Sequence, residues 1–403
     1  GKSAFGFCSK LENIDIPKKV NFIDDNAFMY CSCIRNITIP ENNTFIASGL
    51  FFYCNNLEFI QIPDCVTYIG SQAFWHCENL KSFPIIKSLT SIETRIFEYC
   101  SSLQNITLSD NITVINTYAF SFCSKLQNII LPGNLEIIRF NSFYYCTSLN
   151  NIIIPKNVKT IESYAFDHCT NLISFTIPEK ITSIKKSTFA NCESLQSITI
   201  PDSVTSIGPS AFSYCHSITN ITIPSSVKFI GDGVFFGCKN LQSIILPESL
   251  EVISNDSFGE CISLQNITIP NNVTFIGDYA FYSCSNLSNL ILPKNITFIG
   301  NYLFYNCISL QNISIPDNVV SLGNYAFFSC TSINDIKLSE NIASIGKFVF
   351  QSCIRLCNLT ICDAVTFIGE GAFTSCINLE RIFLSKNITS TRTITPLLQY
   401  QNV

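Results

Sequence analysis

Histidine is almost missing from this chain, at three in 403 residues, and Met and Trp occur once each. His76 and His168 are four repeats apart, on the order of 19 Å at strand spacing, so they cannot share a metal. A Cys–His nucleophile needs one unique thiol held near a base, whereas each His here flanks one of a long series of equivalent cysteines. Neither G-x-x-x-x-G-K-[ST] nor G-x-S-x-G occurs. These absences argue against an enzyme, a metal and a cofactor.

Charge is scarce as well. Only 13% of residues are charged, the net charge is −5, and no Lys/Arg cluster exists to neutralise a row of phosphates. That excludes nucleic acid as a partner. The longest nearly apolar stretch, Phe45 to Cys54, is broken by Ser48 and Gly49, far short of the roughly 20 residues that span a bilayer. No membrane insertion by this segment is expected. The chain opens on Gly1-Lys2-Ser3-Ala4-Phe5, with no initiator Met, no signal peptide and no polar cap, already inside a repeat. This predicts a piece of a longer protein.

What the chain does have is a period. Seventeen of the 21 cysteines fall 23 residues apart, from Cys8 and Cys31 without a slip to Cys376. Three residues before each stands a Phe, from Phe5 to Phe373, which uses half of the 34 phenylalanines. Counting columns from the Cys, Leu or Ile follows at three and apolar residues at six and eight. Pro is usual at nine, Val, Ile or Leu stands at twelve, Ile or Leu at fifteen, and Gly is frequent at sixteen. The I-x-I of Ile198-Thr199-Ile200 has the two-residue period of a strand with one buried face. Pro at nine, lacking an N–H, ends that strand. Gly at sixteen suits a positive-φ turn. The A-F-x-x-C segment is too short for a free-standing helix and predicts one helical or 3₁₀ turn. One unit cannot bury its apolar side chains alone, so stacking is required.

This pattern resembles the Treponema-type, BspA-like leucine-rich repeat proteins. The matching residues are L-x-x-I-x-I-P-x-x-V-x-x-I-G-x-x-A-F-x-x-C, as at Leu195 to Cys215. The expected fold is therefore an α/β-type repeat solenoid. It is a leucine-rich-repeat arc on the order of 80 Å long, with one parallel β-sheet on the concave face and short helical or 3₁₀ turns on the convex side. Residues 1–388 form seventeen units, the first truncated, and 389–403 a C-terminal cap or tail. Asn43 at column twelve and Thr391 at column fifteen depart from the pattern. The resemblance implies non-enzymatic recognition and adhesion at a cell surface or in secreted form, with a protein or glycan partner. The rival reading is an intracellular scaffold docked on a larger assembly such as the cytoskeleton, since reduced ladder cysteines suit a reducing compartment.

Two surfaces are candidates for binding. Columns five and seven are the outward residues of the strand, mostly Asn, Ser and Thr. Phe59 and Gln61, Ile130 and Ile153, Ile245, Ile291, and Arg381 with Phe383 interrupt that polar face as anchors do. The column just before the Cys is aromatic or His through the first eight coils, Tyr53, Tyr99 and Tyr145 among them, with Trp75 beside it, and is mostly small or polar afterwards. A core column would not change character midway, so this one belongs at the surface, as a self-covering ring ladder or a contact strip. Thirteen Asn-x-Ser/Thr sequons occur, six at column five and five at column eleven. Whether they carry glycans is open. Outside the ladder, the spacing leaves a bridge between Cys357 and Cys362 open.

Overall fold

The computed structural model describes residues 1–384 and 386–388, as two compact units, Gly1–Ser203 and the chain from Val204 onward. Both repeat one coil of parallel strands and tight turns. The expected terminal segment 389–403, with Thr391, lies outside the described residues.

The I-x-I columns form the first strand of the coil. Asn105–Thr107 and Asn128–Ile130 pair in the first unit, and Asn220–Thr222 and Ser243–Ile245 in the second. The middle residue is buried and its neighbours face outward, the alternation a half-buried strand requires. Each residue pairs with the one 23 positions on, so like columns lie side by side. Pro84 takes column seven in one coil, and there the ladder thins to a single bridge between Ser82 and Asn105.

A second ladder, beyond the one sheet expected, runs through columns fourteen and fifteen. Ser91–Ile92, Val114–Ile115, Ile137–Ile138 and Thr160–Ile161 pair in sequence in the first unit. Ser206–Ile207, Phe229–Ile230, Val252–Ile253 and Phe275–Ile276 do so in the second. A two-residue strand leaves no period-two signal, and its Ile was legible only as half of the V-x-x-I spacing.

The expected helical or 3₁₀ turns are not there: among the described residues there is no helix. Instead the chain between column sixteen and the Cys is a run of β-turns. Met29 N bonds Asn26 O and Cys31 N bonds Phe28 O. The alternate amides donate to the next coil, Phe28 N to Leu50 O at 3.1 Å and Tyr30 N to Phe52 O at 2.7 Å. Two left-handed residues per coil make this possible, here Asn26 at φ 56° and Tyr30 at φ 59°. Spacing is the physical reason. Core rings of successive coils are 5.2 to 5.8 Å apart, about half the width of a helix with its side chains. A ladder of turns fits that pitch.

Gly at column sixteen also serves a purpose other than the expected one. Its φ is not positive at Gly231, Gly277 or Gly369. A Cβ there would lie 2.4 to 2.6 Å from backbone atoms of the preceding coil. Close approach, and not turn conformation, selects glycine.

The core is a column of phenylalanines. Phe28 to Phe189 in the first unit and Phe212 to Phe373 in the second are buried and stacked. Beside them the ladder thiols donate, in nearly every coil, to a carbonyl of the preceding one, Cys54 Sγ to Phe28 O at 3.1 Å and Cys284 Sγ to Phe258 O at 3.1 Å. That is why the column is Cys: a small apolar side chain that still supplies one donor. All 21 cysteines are free thiols, Cys357 and Cys362 included. Asn43 is buried at column twelve because its Nδ2 donates to Val20 O and Pro40 O.

Candidate functional site

The strand face is built by columns five and seven, which the buried middle residue forces outward. Most of it is a layer of amides and hydroxyls, some tied across coils, as Asn128 Nδ2 is to Asn105 Oδ1 at 2.9 Å. The sequence-derived anchors stand out of this layer. In the first unit Ile130 and Ile153 occupy column seven of adjacent coils, 63% and 80% exposed. Ile173 lines a shallow groove alongside with Gln127 and Asn150. Phe59 is exposed too, with Lys81 Nζ 5.5 Å above its ring. Glu58 bridges Lys81 and Arg35, at 2.5 and 3.4 Å, and the lysine holds its carboxyl below the ordinary range. Gln61 Oε1 lies 3.5 Å from Thr38 Oγ1. The first unit thus presents an apolar pair and a separate charged aromatic cluster on one face.

In the second unit Ile245 and Ile291 are 64% and 86% exposed, two coils apart with Thr268 between them. Arg381 and Phe383 project from the last described strand. The structure does not merge these positions into one pocket.

The column before the Cys is a continuous ring stack in the first unit. Centroids are 4.8 Å apart from Phe7 to Tyr30 and from Tyr30 to Tyr53, 4.2 Å from Tyr53 to His76, and 4.1 Å from His76 to Tyr99. The stack continues through Phe122 and Tyr145 to His168. Phe52, Trp75 and Tyr144 meet it at steep angles. Every one of these ladder residues is left-handed. That conformation costs roughly 1–2 kcal/mol for a side chain other than glycine. An offset ring pair returns roughly 0.5–1.5 kcal/mol beyond burial. Where the ring stack stops, the column uses Asn191, Tyr214, Gly237, Glu260, Ser283 and Asn306, all still left-handed, so the conformation persists without the rings. The stack spends the ring faces on each other and leaves their edges outward. His168 at its end holds Asp167, Nδ1 to Oδ1 2.8 Å, and burial pushes that carboxyl up against the pull of Asn191 and His168.

Sequence reading missed a second set of ring ladders in the second unit. Tyr279, Tyr302, Tyr325 and Phe348 stack at 4.6, 4.7 and 5.0 Å, and Tyr282, Tyr305 and Phe328 at 5.2 and 4.7 Å. The 23-residue recurrence of tyrosine was visible, but elsewhere the two columns are aromatic only in scattered coils, as at Tyr118 and Tyr164 or Phe52, Trp75 and Tyr144.

The ladder thiols are poor nucleophiles. Burial raises Cys31 to about 11 and Cys238 and Cys307 to about 12, so they stay protonated. Among the described residues no three His, Cys, Asp or Glu side chains converge as a metal site would need. No helix among them is long and apolar enough to cross a membrane.

A family model described as BspA type leucine rich repeat region matches six overlapping stretches, residues 1–104, 44–173, 90–219, 159–288, 205–319 and 297–394. No curated protein matches the chain. Among solved structures, a leucine-rich repeat protein from Bacteroides ovatus is 28% identical with a TM-score of 0.49, covering 100% of this chain and 83% of its own. A leucine rich cell surface protein from Faecalibacterium prausnitzii is 26% identical with a TM-score of 0.46, covering 90% and 89%. The pneumococcal vaccine antigen PcpA is 19% identical with a TM-score of 0.43, covering 90% and 92%.

Proposed function

The chain belongs to the BspA-type leucine-rich repeat family, and from that premise we propose that it is a non-enzymatic recognition and adhesion module. It is displayed on a cell surface or secreted, and it binds a protein or glycan partner through its outward strand face. The observation that carries this reading is the pair Ile130 and Ile153, large aliphatic side chains held in water at column seven of adjacent coils, on a face that mostly presents amides and hydroxyls. Burying such a pair contributes on the order of 2–4 kcal/mol to a complex. Arg35, Glu58, Lys81 and Phe59 add a charged aromatic contact of the kind that orients a partner. The Tyr53, Tyr99 and Tyr145 ridge is the weaker surface for a glycan, because sugars stack on ring faces and those faces are covered. Its edges and phenol hydroxyls remain for a protein contact.

Free thiols do not require an intracellular home here, since most ladder thiols are buried, and burial holds the Cys238 thiol up at about 12. The test uses a printed array of extracellular proteins and oligosaccharides, probed with the folded chain and two variants. Ile130→Ser with Ile153→Ser should lose saturable binding at unchanged melting temperature. Tyr53→Ser with Tyr99→Ser and Tyr145→Ser should lower stability and keep binding per folded molecule. Loss in the tyrosine variant alone would move the site to the ridge, and saturable binding to nothing would sink the reading.

A further inference from the structure

In the second unit the strand face is ruled at twice the coil period. Asn220/Thr222, Asn266/Thr268, Asn312/Ser314 and Asn358/Thr360 fill columns five and seven of every other coil. The coils between them place Ile245, Ile291, Lys337 and Phe383 at column seven and form no sequon at column five. The register is unbroken, Asn220 to Ser243 to Asn266 to Asn289 to Asn312, then through Asp335 and Asn358 to Arg381. We propose that Asn220, Asn266, Asn312 and Asn358 are N-glycan acceptors, one per two strands, and that the coils between them form bare strips framed by sugar stems.

Three observations support this. First, the two kinds of coil drift differently. Column seven of the sequon coils changes only from Thr to Ser, at Ser314, which keeps the sequon, while the equally exposed intervening position wanders through Ile, Lys and Phe. Second, Asn220 is held across the strands through its oxygen, Oδ1 accepting from Ser243 Oγ at 2.5 Å, which leaves its nitrogen outside that cross-strand bond. The four acceptors are two strands, about 9.5 Å, apart. That spacing also seats one pyranose per acceptor, since the ring is wider than one strand spacing and narrower than two. Third, the sequons at column eleven have another purpose. Asn272 Nδ2 donates to Glu248 O at 2.7 Å and Asn295 Nδ2 to Asn271 O at 3.4 Å. Ser249 makes the equivalent bond from the same column, Oγ to Ser225 O at 2.8 Å. At column five, Asn220 donates one amide hydrogen to Thr219 Oγ1 and retains the other.

The transfer takes the glycan from a polyprenyl-diphosphate-linked donor. The anomeric carbon–oxygen bond breaks, the lipid diphosphate leaves, and Nδ2 forms the new carbon–nitrogen bond with loss of one amide proton. The proposal rests on the surface reading only in requiring a secretory route. Protein isolated from its native cells is treated with peptide N-glycosidase in heavy-oxygen water, which converts glycosylated Asn to labelled Asp, and is then peptide-mapped. Label is expected at the four column-five sites and not at Asn272 or Asn295. Absence of label at the four, or equal label at column eleven, overturns the proposal. Impermeant biotinylation of the same intact cells, with assay of their medium, keeps the two readings apart: biotinylated or secreted protein without glycan defeats this proposal alone, and protein neither biotinylated nor in the medium defeats the surface reading.

Discussion

Single side chains matter here according to what the adjacent coil brings against them. Phe120 lies between Phe97 and Phe143 at 5.5 and 5.4 Å and is fully buried. Phe120→Ala should cost about 3–5 kcal/mol, measured by urea unfolding, and a loss under about 1 kcal/mol would mean the ring column is not the core. Glycine offers a paired test. A Cβ on Gly277 would sit 2.5 Å from Asn255 N, whereas one on Gly133 meets nothing within 4 Å. Gly277→Ala should destabilise by roughly 1–3 kcal/mol, and Gly133→Ala should be neutral or slightly stabilising. Equal effects would remove the close-approach account. The thiols predict a pH dependence. Their folded pKa is raised from 9.0 to about 12 at Cys238 and Cys307, so the folded chain keeps protons that the unfolded chain releases. The stability they lend is full below pH 9 and falls as pH rises from about 9 towards 12. Thermal midpoints measured from pH 7 to 10.5 should therefore drop above pH 9. A flat profile would place the thiols in water.

The elements differ in how well the sequence announced them. The first strand was legible because I-x-I has a period that only a half-buried strand explains, and the buried Ile221 and Ile244 sit where that period puts them. The second strand was not, since two residues such as Val252–Ile253 carry no period. The turn run was misread because A-F-x-x-C fits a helical turn as well as a β-turn. The contrary signal was present in Asn26, Gly49, Asn141 and Asp256, types that favour left-handed backbone, all at one column. Stacked Tyr279, Tyr302 and Tyr325 at that same column masked it. The anchors Phe59, Ile130, Ile153, Ile245 and Ile291 were legible as outward residues, because facing follows from the strand period. That the ridge residues cover one another was not, because ring stacking depends on a backbone conformation no periodicity reveals.

At the scale of the whole chain, the architecture makes stability local. Each coil bonds its neighbours in sequence, and most side-chain hydrogen bonds span 22 to 26 residues, as Cys146 Sγ to Phe120 O and Asn111 Nδ2 to Lys87 O do. A lesion in one unit should therefore melt its surroundings and spare the other, so hydrogen exchange in Phe120→Ala should accelerate within residues 1–203 and remain unchanged beyond residue 300. Global acceleration would show a single cooperative fold. The function proposed for this array rests on the outward strand face, and hydroxyl-radical footprinting with and without an array-identified partner tests it most directly. The account predicts that oxidation of Ile130, Ile153 and Phe59 falls in the complex while that of Tyr53, Tyr99 and Tyr145 is unchanged. Protection confined to the tyrosines, with the isoleucines as reactive as in the free chain, would contradict it.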